Sequence, residues 1–539
     1  MITERAIINF LIIGASFILV PIIVSSSLQV DFLPALFFGG LFALAVAFFF
    51  LKEQLSLWPM LGGSILGSLN FLPLSLKPSH IFCILLILYY ITGYVLIRQK
   101  RIKLGNPRFL WPIMTVTLIV LYHNHDLNVR ALGGETQEGA KPAILIYLVV
   151  LAYFCGINMS SPSVHFFSKI PLYSVILTGL SSVPFLLTTF IPSLAPYAYY
   201  ITDNVNVQAY LDTQASSSQA VTGISRLGPL GSLGGSLQLY LLCYYPIGTW
   251  LRPERWWVAG LSSICIALVL ITGFRNSLFS FAVMVMVASW CYYSWRALFL
   301  PSAFVIMVLI FFAASSNNLI NLPTDKLPLI VQRTLSFLPG DWDEEALESA
   351  KSSNDFRQNM QDLYIKEYMD KSPLIGNGFS IDTKEFNRLS DILKNGGGGE
   401  DDEYLTARTF IEGKMFHTGW LSVYDAVGII GSIAFVVLAW NEIRTLAHFM
   451  FGPKADRRSS LFPIYVWLLC GILPSMIGFF TVFGDFGQTF SGLCIYAIAL
   501  SQLSDMENMT EAPMVLPERK GQVKFTGLKG PLYGYQSRP

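Results

Sequence analysis

Three residues in this chain have the types and settings to do chemistry together. Arg226 lies in Ile-Ser-Arg-Leu-Gly-Pro-Leu-Gly, just before an apolar run. Arg275 lies in Thr-Gly-Phe-Arg-Asn-Ser, a link between two apolar runs so short that it must sit at a membrane surface or slightly within. His417 lies in Met-Phe-His-Thr-Gly-Trp-Leu, where a long polar stretch gives way to another apolar run. A guanidinium keeps its charge and forks onto phosphate oxygens. A neutral imidazole accepts a proton near pH 7. Together they suit a group transfer with a phosphate leaving group. The plainer roles are an arginine snorkelling beside an apolar helix and a solvated histidine at a loop end. Sidedness, set by the membrane elements, decides how much weight the plain roles keep.

Composition points to those elements. The chain has 539 residues, 53% hydrophobic and 13% charged, with a formal net charge of +1. Soluble domains carry about 25% charged residues, so a multidomain soluble enzyme and a disordered chain are both disfavoured. The balanced charge disfavours a nucleic-acid binder. All seven cysteines, from Cys83 to Cys494, sit in apolar runs, as small buried hydrophobes with no disulfide framework.

A spanning helix needs about 20 mostly apolar residues. Fourteen runs qualify: 6–24, 33–51, 57–76, 80–97, 109–123, 142–160, 170–193, 230–250, 256–273, 276–294, 297–314, 418–440, 461–480 and 485–503. Three of them (57–76, 109–123 and 230–250) are short or Gly-rich, so the expectation is an all-α polytopic membrane protein of about 12–14 spans. Arg5 before the first run reads as an uncleaved signal anchor. With the N-terminus cytoplasmic, the inside loops hold fifteen Lys and Arg, and the short outside loops hold five. That bias supports the orientation, with the block 98–108 as its firmest anchor, and puts the C-terminus inside too. Arg226, Arg275 and His417 then share the outer face, where snorkelling cations run against the bias.

Residues 315–417 break the apolar pattern, with 11 Lys/Arg and 18 Asp/Glu. They form a large extracytoplasmic loop between N-terminal helices in 1–314 and C-terminal helices in 418–503, followed by a cytoplasmic tail, 504–539. Within the loop, Phe356, Met360, Leu363, Tyr364 and Tyr368 recur at helical spacing and predict an amphipathic helix over 354–371, capped by Ser353 or Asn354 and stopped by Pro373. Gly396 to Gly399 and the acidic run Glu400 to Glu403 read as a solvated loop in preference to a Ca²⁺ site. His123 and His125 could hold a metal, but no further ligand is apparent, and an interfacial loop is the default. Nucleotide and metalloprotease fingerprints are absent. Asp425 and Asp485 are the main acids within apolar runs, too few for an ordinary proton-coupled transporter.

Two motifs resemble the O-antigen ligase and O-antigen polymerase superfamily of bacterial envelopes. Asp370-Lys371-Ser372-Pro373-Leu374-Ile375-Gly376-Asn377-Gly378-Phe379 looks like the family's Pro-Leu-hydrophobic-Gly-x-Gly signature. His417-Thr418-Gly419-Trp420-Leu421, followed by Gly428-Ile429-Ile430-Gly431, looks like its His-Asn-x-x-Leu and Gly-hydrophobic-hydrophobic-Gly. Upstream, Thr272-Gly273-Phe274-Arg275 is similar to the family's Thr-Gly-Ser-Arg. Arg226 stands where the family has an Arg before a Gly, and Arg357 resembles an Arg at the start of the loop helix. The resemblance covers roughly residues 220–480. Thr418 replaces the usual Asn, Phe274 replaces the usual Ser, and an acidic, Gly-rich insertion precedes His417.

The resemblance implies a GT-C-like membrane glycosyltransferase of the bacterial inner membrane, active on the periplasmic side in polysaccharide or lipopolysaccharide biosynthesis. It implies a metal-independent, inverting enzyme with no cofactor. A polyprenyl-diphosphate-linked glycan would be the donor, and a glycan or lipid-linked hydroxyl the acceptor. Arg226, Arg275 and Arg357 would bind the diphosphate, and His417 would be the catalytic base. The competing classes are a lipid-linked oligosaccharide flippase, which has no use for the large loop, and a scaffold or sensor, in which these residues are replaceable.

Overall fold

The computed structural model describes residues 52–68, 76–97, 103–124, 140–190, 228–250, 252–272, 274–293, 326–338, 341–394, 402–416, 418–453, 455–481 and 484–511. The described residues are all-helical. Three helices are long and apolar enough to cross a membrane: Arg275–Tyr293, Gly419–Phe451 and Phe462–Thr481. Shorter apolar helices include Pro78–Thr92, Lys141–Ile157 and Ile170–Leu186.

In chain order the main elements begin with α1 (Trp58–Gly62), α2 (Pro78–Ile97), α3 (Pro107–His123), α4 (Ala140–Ile157), α5 (Ile170–Phe190), α6 (Gly228–Tyr244), α7 (Trp256–Leu270) and α8 (Arg275–Tyr293). The charged insertion contributes α9 (Leu329–Leu335), α10 (Glu344–Glu367), α11 (Thr383–Lys394) and α12 (Asp402–Glu412). The chain then returns to apolar helices α13 (Gly419–Phe451), α14 (Phe462–Thr481) and α15 (Phe486–Glu511). The runs 6–24, 33–51 and 297–314 and the tail beyond 511 lie outside the described residues.

The helices alternate between two ends of one bundle. At one end Lys103 pairs with Asp505 at 3.1 Å, Asn441 Nδ2 donates to the Arg108 carbonyl at 2.7 Å, and Arg457 donates to the Tyr292 carbonyl at 2.8 Å. At the other, the Phe486 N–H donates to Ser422 Oγ at 3.0 Å, and His123 meets the Ile375 carbonyl at 2.9 Å. The described parts of the basic stretches around 103–108 and 444–458 thus share an end, and the insertion sits at the opposite one. The core between them is apolar, built largely from α2 to α4, α8 and α13 to α15.

Two expectations need correction. The run 57–76 does not form a spanning helix, since α1 ends at Gly62 and residues 63–68 are not helical. Average hydropathy hides the reason: Gly62, Gly63 and Gly67 fall within a few residues, and Gly67 takes a left-handed φ of 91°. The amphipathic helix starts ten residues before its predicted 354. Asp343 caps it by accepting from the Glu345 N–H at 2.9 Å, with Glu344 and Glu345 in the first turn. Ser353 and Asn354 are therefore carried inside the helix. Its apolar face is as expected: Met360, Leu363, Tyr364 and Tyr368 are buried against Ala407 and Ile411 of α12 and Leu421 of α13. That small core seats the insertion on the bundle.

Candidate functional site

The site is assembled where α13 breaks. Within this helix Gly428 adopts φ 63° and ψ −166°, which only glycine takes without strain. The break leaves the N–H groups of Ile429 and Ile430 without helical acceptors. The insertion supplies them: Ile429 N–H donates to the Pro373 carbonyl at 2.9 Å and Ile430 N–H to the Leu374 carbonyl at 3.0 Å. In return the Asn377 N–H donates to the freed Asp425 carbonyl at 2.6 Å. Gly376, at φ 75°, passes so close that a Cβ there would stand 2.6 Å from the Asp425 carbonyl oxygen. The segment 373–377 thus completes the broken helix.

The Asp425 side chain locks this joint. It is 2% exposed. One oxygen accepts from the Tyr364 hydroxyl at 3.0 Å and from Asn377 Nδ2 at 2.8 Å; the other pairs with Lys414 Nζ at 2.6 Å. Burial, and then the Asp425 carboxylate beside it, push the Tyr364 hydroxyl above the ordinary tyrosine value, so it stays a donor. Lys414 holds a left-handed φ of 55° in making its contact, a conformation that costs a non-glycine residue about 1–2 kcal/mol. From the far side, His123 Nε2 meets the Ile375 carbonyl at 2.9 Å. His123 therefore clamps the insertion to α3. Among the described residues no three His, Cys, Asp or Glu side chains are gathered closely enough to hold a metal ion.

The arginines gather two to three turns before Tyr364 on α10. Arg275 opens α8, and its Nη2 donates to Asn354 Oδ1 of α10 at 3.1 Å. Arg357, one turn further along α10, is partly buried. Burial first, and then the positive charge of Arg275, push its guanidinium below the ordinary arginine value. Two cations from distant parts of the chain therefore share one partly desolvated region. Next to Arg275, the Asn276 Oδ1 is buried with no hydrogen-bond partner, and so is Thr418 Oγ1 at the head of α13. Both are carried to the last turn of α14, where Gly478 packs on Asn276 and Gly419 on Phe479. Buried polar atoms left unsatisfied are uncommon in folded proteins and mark places where a ligand can complete the bonding.

Arg226 and His417 lie outside the described residues, as do His125, Glu400 and Asp401. The structure thus brings together two of the four expected site residues, Arg275 and Arg357. The sequence reading missed the Asp425 joint. Its carboxylate is visible in the sequence only as a scarce acid inside an apolar run, and its other parts only as separate glycine motifs.

No known protein-family model matches this chain, and no curated protein does.

Proposed function

We propose that this chain is a GT-C-like membrane glycosyltransferase of the bacterial inner membrane. It has about 12–14 spans and both termini in the cytoplasm. It moves a glycan from a polyprenyl-diphosphate carrier to an acceptor hydroxyl on the periplasmic side, as an O-antigen ligase or polymerase does. The observation that carries the reading is Arg275 at the head of an apolar helix, bonded to Asn354 one turn from Arg357 on α10. Two guanidinium groups turned to one partly desolvated region favour a doubly charged anion there.

The reaction follows from those groups. The acceptor oxygen attacks the anomeric carbon from the face opposite the diphosphate, so the configuration inverts. The bond from that carbon to the diphosphate oxygen breaks, and the polyprenyl diphosphate leaves with the electron pair. Arg226, Arg275 and Arg357 meet its growing charge with fixed donors, which stabilises the transition state most where water is excluded. The acceptor proton passes to the imidazole of His417, which must come within about 3 Å of the hydroxyl. Asn276 Oδ1 and Thr418 Oγ1 are left to hydrogen-bond sugar hydroxyls. The ligase-like form of the reading rests on the histidine motif at the end of the insertion.

A second reading, a lipid-linked oligosaccharide flippase, is favoured by the break after α1, since interrupted helices line binding sites in transporters. Purified protein in liposomes, given polyprenyl-diphosphate glycan and acceptor, separates the two. A transferase releases polyprenyl diphosphate and forms an acceptor-linked glycan. A flippase moves the donor across the bilayer with its diphosphate bond intact.

A further inference from the structure

The irregular segment after α1 is held in place by side chains. Ser64 Oγ lies 2.8 Å from Ser174 Oγ, Thr178 Oγ1 donates to the Ser64 carbonyl at 2.8 Å, and the Leu66 N–H donates to Ser181 Oγ at 3.0 Å. Hydroxyls of α5 thus satisfy backbone that the broken helix cannot. Where α1 meets the heads of α2 and α15, a cavity of roughly 210 Å³ remains.

Its polar lining includes Lys77, Ser79, His80 and Ser491, and its apolar lining includes Met60 and Ile495. His80 is 5% exposed, yet its Nδ1 is buried without a hydrogen-bond partner. Lys77 Nζ is steadied by a 2.9 Å bond to Gln488 Oε1. The 20-residue helix α2 begins at Pro78, so its positive end points the same way. Asp485, the residue before α15, accepts from the Gln488 N–H at 2.7 Å through one oxygen. One lysine, a helix head, an orphaned ring nitrogen and hydroxyls over an apolar wall call for an anion that carries a hydrocarbon chain. The volume equals that of about seven waters, which suits a phosphate and its first few carbons.

We propose that this cavity binds the phosphate group of an amphiphile, with Lys77, His80 and the head of α2 on the phosphate and the first carbons of the chain against Met60 and Ile495. The proposal stands apart from the arginine site, shares no residue with it, and does not depend on a transferase reaction.

The test is thermal unfolding of the purified full chain in an uncharged maltoside detergent, titrated with dodecyl phosphate or with inorganic phosphate. Two variants probe the site. Lys77→Gln removes the charge. Gly492→Phe fills the cavity, since Gly492 lines it and a Cβ there meets no atom within 4 Å. Gly260→Phe, at another open position on α7, is the control. Dodecyl phosphate should raise the unfolding midpoint saturably in the wild type and in Gly260→Phe. Half-saturation should move up on the order of tenfold in Lys77→Gln and in Gly492→Phe, the loss of one charge-assisted contact or of the space for the ligand. No saturable rise in the wild type, or equal titrations in all variants, overturns the proposal. An equal rise with inorganic phosphate at the same concentrations overturns its amphiphile half and assigns the cavity to free phosphate.

Discussion

Removing the Asp425 carboxylate should release the insertion from the broken helix. The side chain is 3% exposed and its ion-pair partner Lys414 20% exposed. Asp425→Asn keeps one acceptor oxygen for Tyr364 and Asn377 but turns an amide N–H₂ toward the Lys414 ammonium. The loss is one charge-assisted bond of about 1.5–3 kcal/mol. Asp425→Ala leaves Lys414, Asn377 and the Tyr364 hydroxyl unpaired together, a loss in the range of about 3–5 kcal/mol measured for broken buried pairs. Amide hydrogen exchange reads this directly, because Ile429 and Ile430 donate to the carbonyls of Pro373 and Leu374. If the joint opens locally, Asp425→Asn should speed exchange at these two amides by about ten- to hundredfold and leave the middle of α14 unchanged. Lys414→Met combined with Asp425→Asn should cost less than the two single changes added together, as expected for partners in contact. Unaltered exchange at Ile429 and Ile430 in Asp425→Ala, or strict additivity in the double variant, would refute the reasoning.

Other outcomes follow from the same geometry. Gly428→Ala and Gly376→Ala each force a side chain into a left-handed backbone and into the facing segment. Each should cost at least about 1–3 kcal/mol, read as a lowered unfolding midpoint. Arg275→Lys should not restore glycan transfer in membranes, because a point charge cannot both fork onto a diphosphate and keep the contact with Asn354; full activity would remove Arg275 from the donor site. EDTA should leave transfer intact, and loss of activity restored by Mg²⁺ or Mn²⁺ would shift attention to His123 and Asp485.

Hydropathy and helical spacing made much of the architecture legible. Most of the runs that fall in described residues form helices near their expected bounds, and the spacing of Met360, Leu363, Tyr364 and Tyr368 identified the buried face of α10. Both signals are local, and each averages over a few turns. The failure at 57–76 has the same origin, because a window average cannot see that clustered glycines stop a helix. The Asp425 joint was illegible for a different reason. Tyr364 and Asn377 stand 61 and 48 residues away in the chain, and no periodicity connects them. Gly428 and the Pro373–Gly378 stretch were visible as separate motifs, but only the structure shows that one is the complement of the other. His123 reads from the sequence as part of a solvated interfacial loop, whereas it meets the Ile375 carbonyl. Arg357 entered the reading through a family resemblance alone; its nearness to Arg275 depends on how α10 lies across the head of α8.

The central claim, transfer from a polyprenyl-diphosphate donor with His417 as base, is tested most directly by His417→Ala in cells lacking the native copy. Loss of the base should slow transfer on the order of 10²–10⁴-fold. Donor binding and protein level should hardly change, since the proposal assigns the diphosphate to the arginines. The account predicts that polyprenyl-diphosphate glycan accumulates with no acceptor-linked product while the variant remains in the membrane. Normal acceptor glycosylation by His417→Ala would contradict it.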